Sequence, residues 1–142
     1  MKEVETTISV YYSISGDDFP LEEFTKKVGI TPTDAFRKGE TIVIGKNKHI
    51  KSKTTWEFGS ELELTDEPLK QIRSIVDPLQ NSVDIINQFK VEFNLTNRLV
   101  IVIYMGDTPP GLIFDSKVIE FVHNVGAQIE CDIYKENFYS DI

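Results

Sequence analysis

Val4-Glu5-Thr6-Thr7-Ile8-Ser9-Val10-Tyr11-Tyr12-Ser13-Ile14 is the stretch that decides the fold. Val4, Ile8, Val10, Tyr12 and Ile14 take one register, while Glu3, Glu5, Thr7, Ser9 and Ser13 take the other. That is the period of a strand buried on one face only. A sheet built on such a strand packs its apolar face against other elements and leaves the opposite face wet.

Helices to cover that sheet follow along the chain. Gly16-Asp17-Asp18 supplies a turn and a helix N-cap, and Pro20 suits a first helical turn. Leu21, Phe24 and Val28 form one stripe before Gly29, which predicts a short helix over 19–28. Thr65-Asp66-Glu67-Pro68 opens a second helix with Leu69, Ile72, Ile75, Val76 and Leu79 inward, which Pro78 ends or kinks. A third starts near Ser82, faces Ile85, Ile86, Phe89 and Phe93 to the core, and stops in the polar stretch Asn94 to Asn97. The fourth is capped by Asp115 or Ser116, buries Val118, Ile119, Val122 and Val125, and closes at Gly126.

The remaining strands are read from composition. Thr41 to Ile44 is β-branched throughout, and Thr54, Trp56 and Phe58 alternate with Lys53, Thr55 and Glu57. The two are joined in this reading by a polar hairpin loop, Gly45-Lys46-Asn47-Lys48-His49. Leu99 to Met105 is apolar without alternation, as in a central strand. Ala127 to Tyr134 is the last strand, with Ile129, Cys131 and Ile133 on its core face. With 142 residues, 40% hydrophobic and 11% aromatic, there is material for one core. The expectation is one α+β domain over residues 1–142: a mainly antiparallel sheet of about five strands with helices packed on it.

Several chemistries are disfavoured by inventory. His49 and His123 are the two histidines; His49 falls in the lysine-rich loop, and His123 lies about 140° from its helix's apolar stripe. Neither is placed beside a nucleophile as an acyl-transfer site requires. One cysteine, Cys131, allows no internal disulfide and too few ligands for a zinc site, and its core register reads as structural. The pairs Asp17-Asp18, Glu22-Glu23 and Asp66-Glu67 sit at helix starts, where capping and the helix dipole account for them. Gly39 and Gly45-Lys46 are separated by five residues and followed by Asn47, which is not a phosphate loop. No cofactor or metal is expected. The start Met1-Lys2-Glu3-Val4-Glu5 lacks the apolar region of a signal peptide, and no apolar run is long enough to span a bilayer, so a cytoplasmic protein is expected.

Charge is distributed unevenly. Twenty-three acids against fifteen bases give −8, yet Arg37, Lys38, Lys46, Lys48, Lys51 and Lys53 with one acid, Glu40, make residues 37–53 net +5 and leave −13 elsewhere. Those six basic residues, with Trp56, are the candidate contact residues. The first functional expectation is a non-enzymatic protein-binding domain of the immunity type, whose acidic body steers onto a basic protein partner. The alternative is an anion or nucleic-acid module acting through the basic hairpin 37–53, although the overall charge opposes nucleic acid. An enzyme with a carboxylate-lined cleft ranks last. It requires converging acids and a raised carboxylate pKa.

Gly29-Ile30-Thr31-Pro32, Arg37-Lys38-Gly39, Trp56 and the ending Gly126-Ala127 with Asp132-Ile133-Tyr134 together form a pattern of order and spacing. In it the chain resembles the bacterial domain-of-unknown-function 4279 family, over nearly its whole length. The resemblance implies a compact bacterial cytoplasmic α+β protein and brings no catalytic residues. Immunity or accessory roles enter by analogy with other small families of this style.

Overall fold

The computed structural model describes residues 3–61, 63–64 and 67–135. Its centre is strand β1 (Thr7–Gly16), which pairs antiparallel with β5 (Thr54–Gly59) on one side and β7 (Thr96–Met105) on the other. Beyond β5 lies β2 (Asp34–Phe36), and beyond β7 lies β8 (Gln128–Lys135), parallel to it. The order is β2-β5-β1-β7-β8, and a short β6 (Glu63–Leu64) pairs with the start of β1. The α+β expectation holds, with one parallel pair at an edge. The parallel pair follows from the chain crossing over through a helix between β7 and β8.

The four α-helices among the described residues pack on the face carrying Ile8, Val10, Tyr12 and Ile14, each 0% exposed. Helix α1 (Leu21–Val28) buries Leu21, Phe24 and Val28, and α2 (Pro68–Leu79) buries Ile72, Ile75, Val76 and Leu79. A 3-10 turn (Gln80–Ser82) leads into α3 (Val83–Phe93), which buries Ile86 and Phe89 while Ile85 and Phe93 are half-buried. In α4 (Ser116–Asn124) the buried residues are Val118 and Phe121. Ile119, expected inside, is 55% exposed, because the stripe is centred on Phe121 and turns Ile119 to solvent.

Edge-to-face rings form the middle of the core. Phe24 meets Phe19, Trp56 and Phe89 at centroid distances of 5.8, 5.0 and 5.1 Å. Each such pair contributes about 0.5–1.5 kcal/mol beyond its buried area. Two polar anchors are buried among these apolar groups. Trp56 Nε1 donates to Thr25 Oγ1 at 3.0 Å, and Asn97 Nδ2 donates to the Tyr12 hydroxyl at 2.8 Å.

Helix starts depart from expectation. Asp17 and Asp18 do not cap α1, whose N-cap is Pro20 with no side-chain bond; Asp17 Oδ1 instead accepts from Lys38 Nζ at 3.3 Å. Glu22 and Glu23 do lie in the first turn of α1. Glu67 occupies the N-cap position of α2 without a side-chain cap bond, and Thr65 and Asp66 lie outside the described residues. Asp115 caps α4 as expected, its Oδ1 accepting from Val118 N at 3.0 Å.

The largest correction concerns the hairpin. Residues 47–50 are a strand, not a loop: β3 (Thr41–Ile44) and β4 (Asn47–Ile50) pair as a separate two-stranded sheet, with Ile44 opposite Asn47. Gly45, at φ 62°, lets the chain reverse in two residues, the shortest hairpin connection. The strand at 54–59 thereby pairs with β1 and β2 rather than with residues 41–44.

Cys131 is also corrected. It shares a register with Ile129 and Ile133, but β8 is an edge strand whose outer part no helix covers, so Cys131 is exposed and Ile133 is 60% exposed.

Candidate functional site

The β3–β4 hairpin stands off the main sheet as an arm. Its base is fastened by backbone bonds, Gly39 N to Lys51 O and Lys51 N to Glu40 O, both 2.8 Å. Lys38 N donates to Thr54 Oγ1 at 3.0 Å, and Lys51 Nζ sits 3.9 Å from the centroid of the Phe36 ring. Beyond that base, residues 43–50 are all exposed. Val43 is 65%, Ile44 60% and Ile50 74% exposed. By the paired register Val43, Lys48 and Ile50 share one face of the ribbon and Ile44 lies on the other, so both faces carry an aliphatic side chain in water.

The candidate contact residues separate into three groups. Arg37 Nη2 lies 2.6 Å from Glu22 Oε2, an ion pair that lowers the Glu22 pKa mainly through the hydrogen bond, and Lys38 pairs with Asp17. These two bases therefore serve the α1 side of the molecule. Lys46 and Lys48 lie on the arm, and Lys51 and Lys53 at its root. With Glu40, the arm and root carry a net +3 once the two paired bases are set aside. Trp56 is removed from the contact set: it is 0% exposed and its indole is committed to Thr25. Its β-strand register, opposite Ile14, places it on the helix-covered face of the sheet.

His49 is exposed on β4, and His123 is exposed in the last turn of α4. Among the described residues, no group of three or more His, Cys, Asp or Glu side chains is arranged to hold a metal ion. No helix among them is long and apolar enough to cross a membrane.

The uncovered face of the sheet holds a second feature, which no local sequence pattern indicates. The paired register lines up Phe36, Thr55, Ser15 and Thr96 as one row, and Asp34, Glu57, Ser13, Arg98 and Gln128 as the next. With Lys51, Ser52, Lys53 and Glu130 these residues, Asp34 excepted, border a cleft of about 430 Å³. Arg98 Nη1 donates to Glu130 Oε2 and Gln128 Nε2 to Glu130 Oε1, each at 2.6 Å, so both oxygens of Glu130 accept a hydrogen bond. Glu57 has its pKa raised by burial first and by Asp34 second, while the Ser13 hydroxyl that donates to it acts the other way. A Ser13 hydroxyl bonded to the Glu57 carboxyl, with Glu130 ion-paired to Arg98, equips the cleft to hold polar groups.

The fold and these surfaces define a small α+β domain with a basic and aliphatic arm beside a polar sheet face. Residues 5–136 match the family described as Domain of unknown function (DUF4279), and the chain belongs to that family. No curated protein and no solved structure matches it significantly. The residues of the resemblance are now placed: Gly29 and Gly126 end α1 and α4, Gly39 sits at the root of the arm, and Trp56 lies in the core.

Proposed function

We propose that the chain is a non-enzymatic protein-binding domain whose contact surface is the β3–β4 arm. The observation that carries this reading is the exposure of Val43, Ile44 and Ile50 beside Lys46 and Lys48. Burying an aliphatic side chain on a partner contributes roughly 1 kcal/mol or more at ~25 cal/mol per Å². A phosphate backbone offers no such apolar surface, whereas a protein interface has an apolar centre and a polar rim. The acidic body suggested a basic partner. The arm favours instead a partner whose docking surface is apolar with an acidic margin.

The test uses the immobilised full chain beside a triple variant, Val43→Ser, Ile44→Ser and Ile50→Ser, in extract of the native host. A single protein retained by the wild type near 0.15 M salt, weakened near 1 M salt where the screening length falls to about 3 Å, and lost from the variant is expected. Equal retention by the variant, or capture only of nucleic acid, refutes the reading.

A further inference from the structure

We propose that the cleft on the open sheet face is a binding site for a small phosphorylated amine, with the phosphate at the Lys51–Lys53 end and the ammonium at Glu57. This goes beyond the arm reading, since it concerns a different surface and a small molecule.

The cleft's groups sort by charge along the strands. At one end Ser15, Thr55 and Thr96 stand side by side across three strands, with Lys51, Ser52 and Lys53 at the rim. Hydroxyl donors in a row beside two ammonium groups match the several acceptor oxygens of a phosphate. Lys51 is held at the rim by the Phe36 ring. Its cation is therefore in place before a ligand arrives, which reduces the ordering cost of binding.

Two residues further along β5, about 7 Å on, the next row brings Glu57 and Asp34. Arg98 acts on Glu57 through space but also gives its Nη1 to Glu130, so its charge is shared between the two carboxyls. A desolvated carboxyl beside a second one is relieved by a cation brought in by the ligand, consistent with the upward shift of the Glu57 pKa. A two-carbon linker between phosphate and ammonium spans the two rows once side-chain reach is included. Arg98, Lys51 and the Ser13 hydroxyl only partly offset the burial of Glu57 and its neighbour Asp34, so charge complementarity selects a zwitterion over a simple anion.

The experiment titrates the full chain with inorganic phosphate, phosphoethanolamine, ethanolamine and a short oligothymidylate, following backbone amide NMR shifts and calorimetric heat. Phosphoethanolamine is expected to bind about tenfold or more tighter than inorganic phosphate or ethanolamine. The shifts should centre on Ser13, Thr55 and Thr96. Lys51→Ala with Lys53→Ala should cost about tenfold or more in affinity for both phosphate probes. Glu57→Gln should remove the preference for the amine while retaining phosphate binding, and both variants are checked for folding by thermal melting. No saturable binding, equal affinity for phosphate and phosphoethanolamine, or tighter binding of the oligonucleotide overturns the proposal. The triple aliphatic variant of the arm should bind phosphoethanolamine as the wild type does, so failure of the arm reading and failure of this one are separable.

Discussion

The indole of Trp56 on β5 donates to the hydroxyl of Thr25 on α1 at 3.0 Å, tying the helix nearest the arm to the strand behind it. The same ring meets Phe24 edge-to-face at 5.0 Å. Trp56→Phe keeps much of the ring packing but leaves the Thr25 hydroxyl without this donor and a small void. It should destabilise the fold by roughly 1–3 kcal/mol. Trp56→Ala should cost about 3–5 kcal/mol, at the top of the range for core truncations. Urea unfolding checks both. Equal stability of the Phe variant and wild type would show that the hydrogen bond contributes nothing net.

The arm should be able to lose order without unfolding the domain. Gly45 holds a left-handed φ of 62°, where a β-branched side chain is strained by roughly 1–2 kcal/mol. In Gly45→Val the amide exchange of residues 41–50 should accelerate markedly, while the global urea midpoint stays close to that of the wild type. The reason is that residues 43–50 bury nothing against the core and the arm is attached only at its base. A large fall in the global midpoint would contradict this local autonomy.

Gly106 is tight for a different reason. A Cβ there would collide with the Val4 carbonyl oxygen and come within 2.6 Å of the Glu5 carbonyl carbon. Both are backbone atoms, and Val4 is clamped to Asp107 by N–H to Oδ2 at 2.7 Å and by the return bond from Asp107 N at 2.8 Å. Gly106→Ala must push the amino-terminal segment off the 106–108 turn. A loss of about 1–3 kcal/mol is expected in urea or thermal unfolding, the usual cost of overpacking.

Glu57 makes stability depend on pH in an unusual direction for a carboxyl. Its folded pKa is raised above the unfolded value, by burial and then by Asp34, so between the two values the folded chain holds a proton that the unfolded chain has released. Stability contributed by this group is therefore present below the ordinary carboxylate pKa and is lost as pH rises through the raised one. Glu57→Gln should be more stable than wild type at pH 7. The two unfolding curves should converge below about pH 4, where the carboxyl is protonated in both states. A Gln variant less stable at pH 7 would show that the ionised carboxylate is held favourably after all.

Much of this architecture was legible because it is local. The alternation through Ile8, Val10, Tyr12 and Ile14 and the stripes of α1 to α3 place those side chains inward from spacing alone. What escaped depends on pairing between distant segments. Asn47–Ile50 is polar and lacks alternation, so nothing local marks it as a strand until Gly45 turns it onto Thr41–Ile44. The cleft draws Phe36, Thr55, Ser13, Arg98 and Gln128 from five strands, and only their register makes them neighbours. The one local hint was the polar register of β1, which foretold a wet face without saying what stood beside Ser13 and Ser15.

Cys131 tests the remaining discrepancy, since alternation says which residues share a face and not whether anything covers that face. Its thiol lies on the helix-side register of β8, yet the residue is exposed at the sheet edge. The native protein should therefore react with a maleimide to completion without denaturant, as intact mass will show. Its rate should nevertheless fall below that of an unhindered thiol at neutral pH. Partial desolvation first, and the neighbouring Asp132 second, raise the thiol pKa and reduce the thiolate fraction. Cys131→Ser should change stability by no more than about 0.5 kcal/mol, the range of surface substitutions. Protection from maleimide until the chain is unfolded would mean that β8 is covered in solution, and would return Cys131 to the buried position that its alternation suggests.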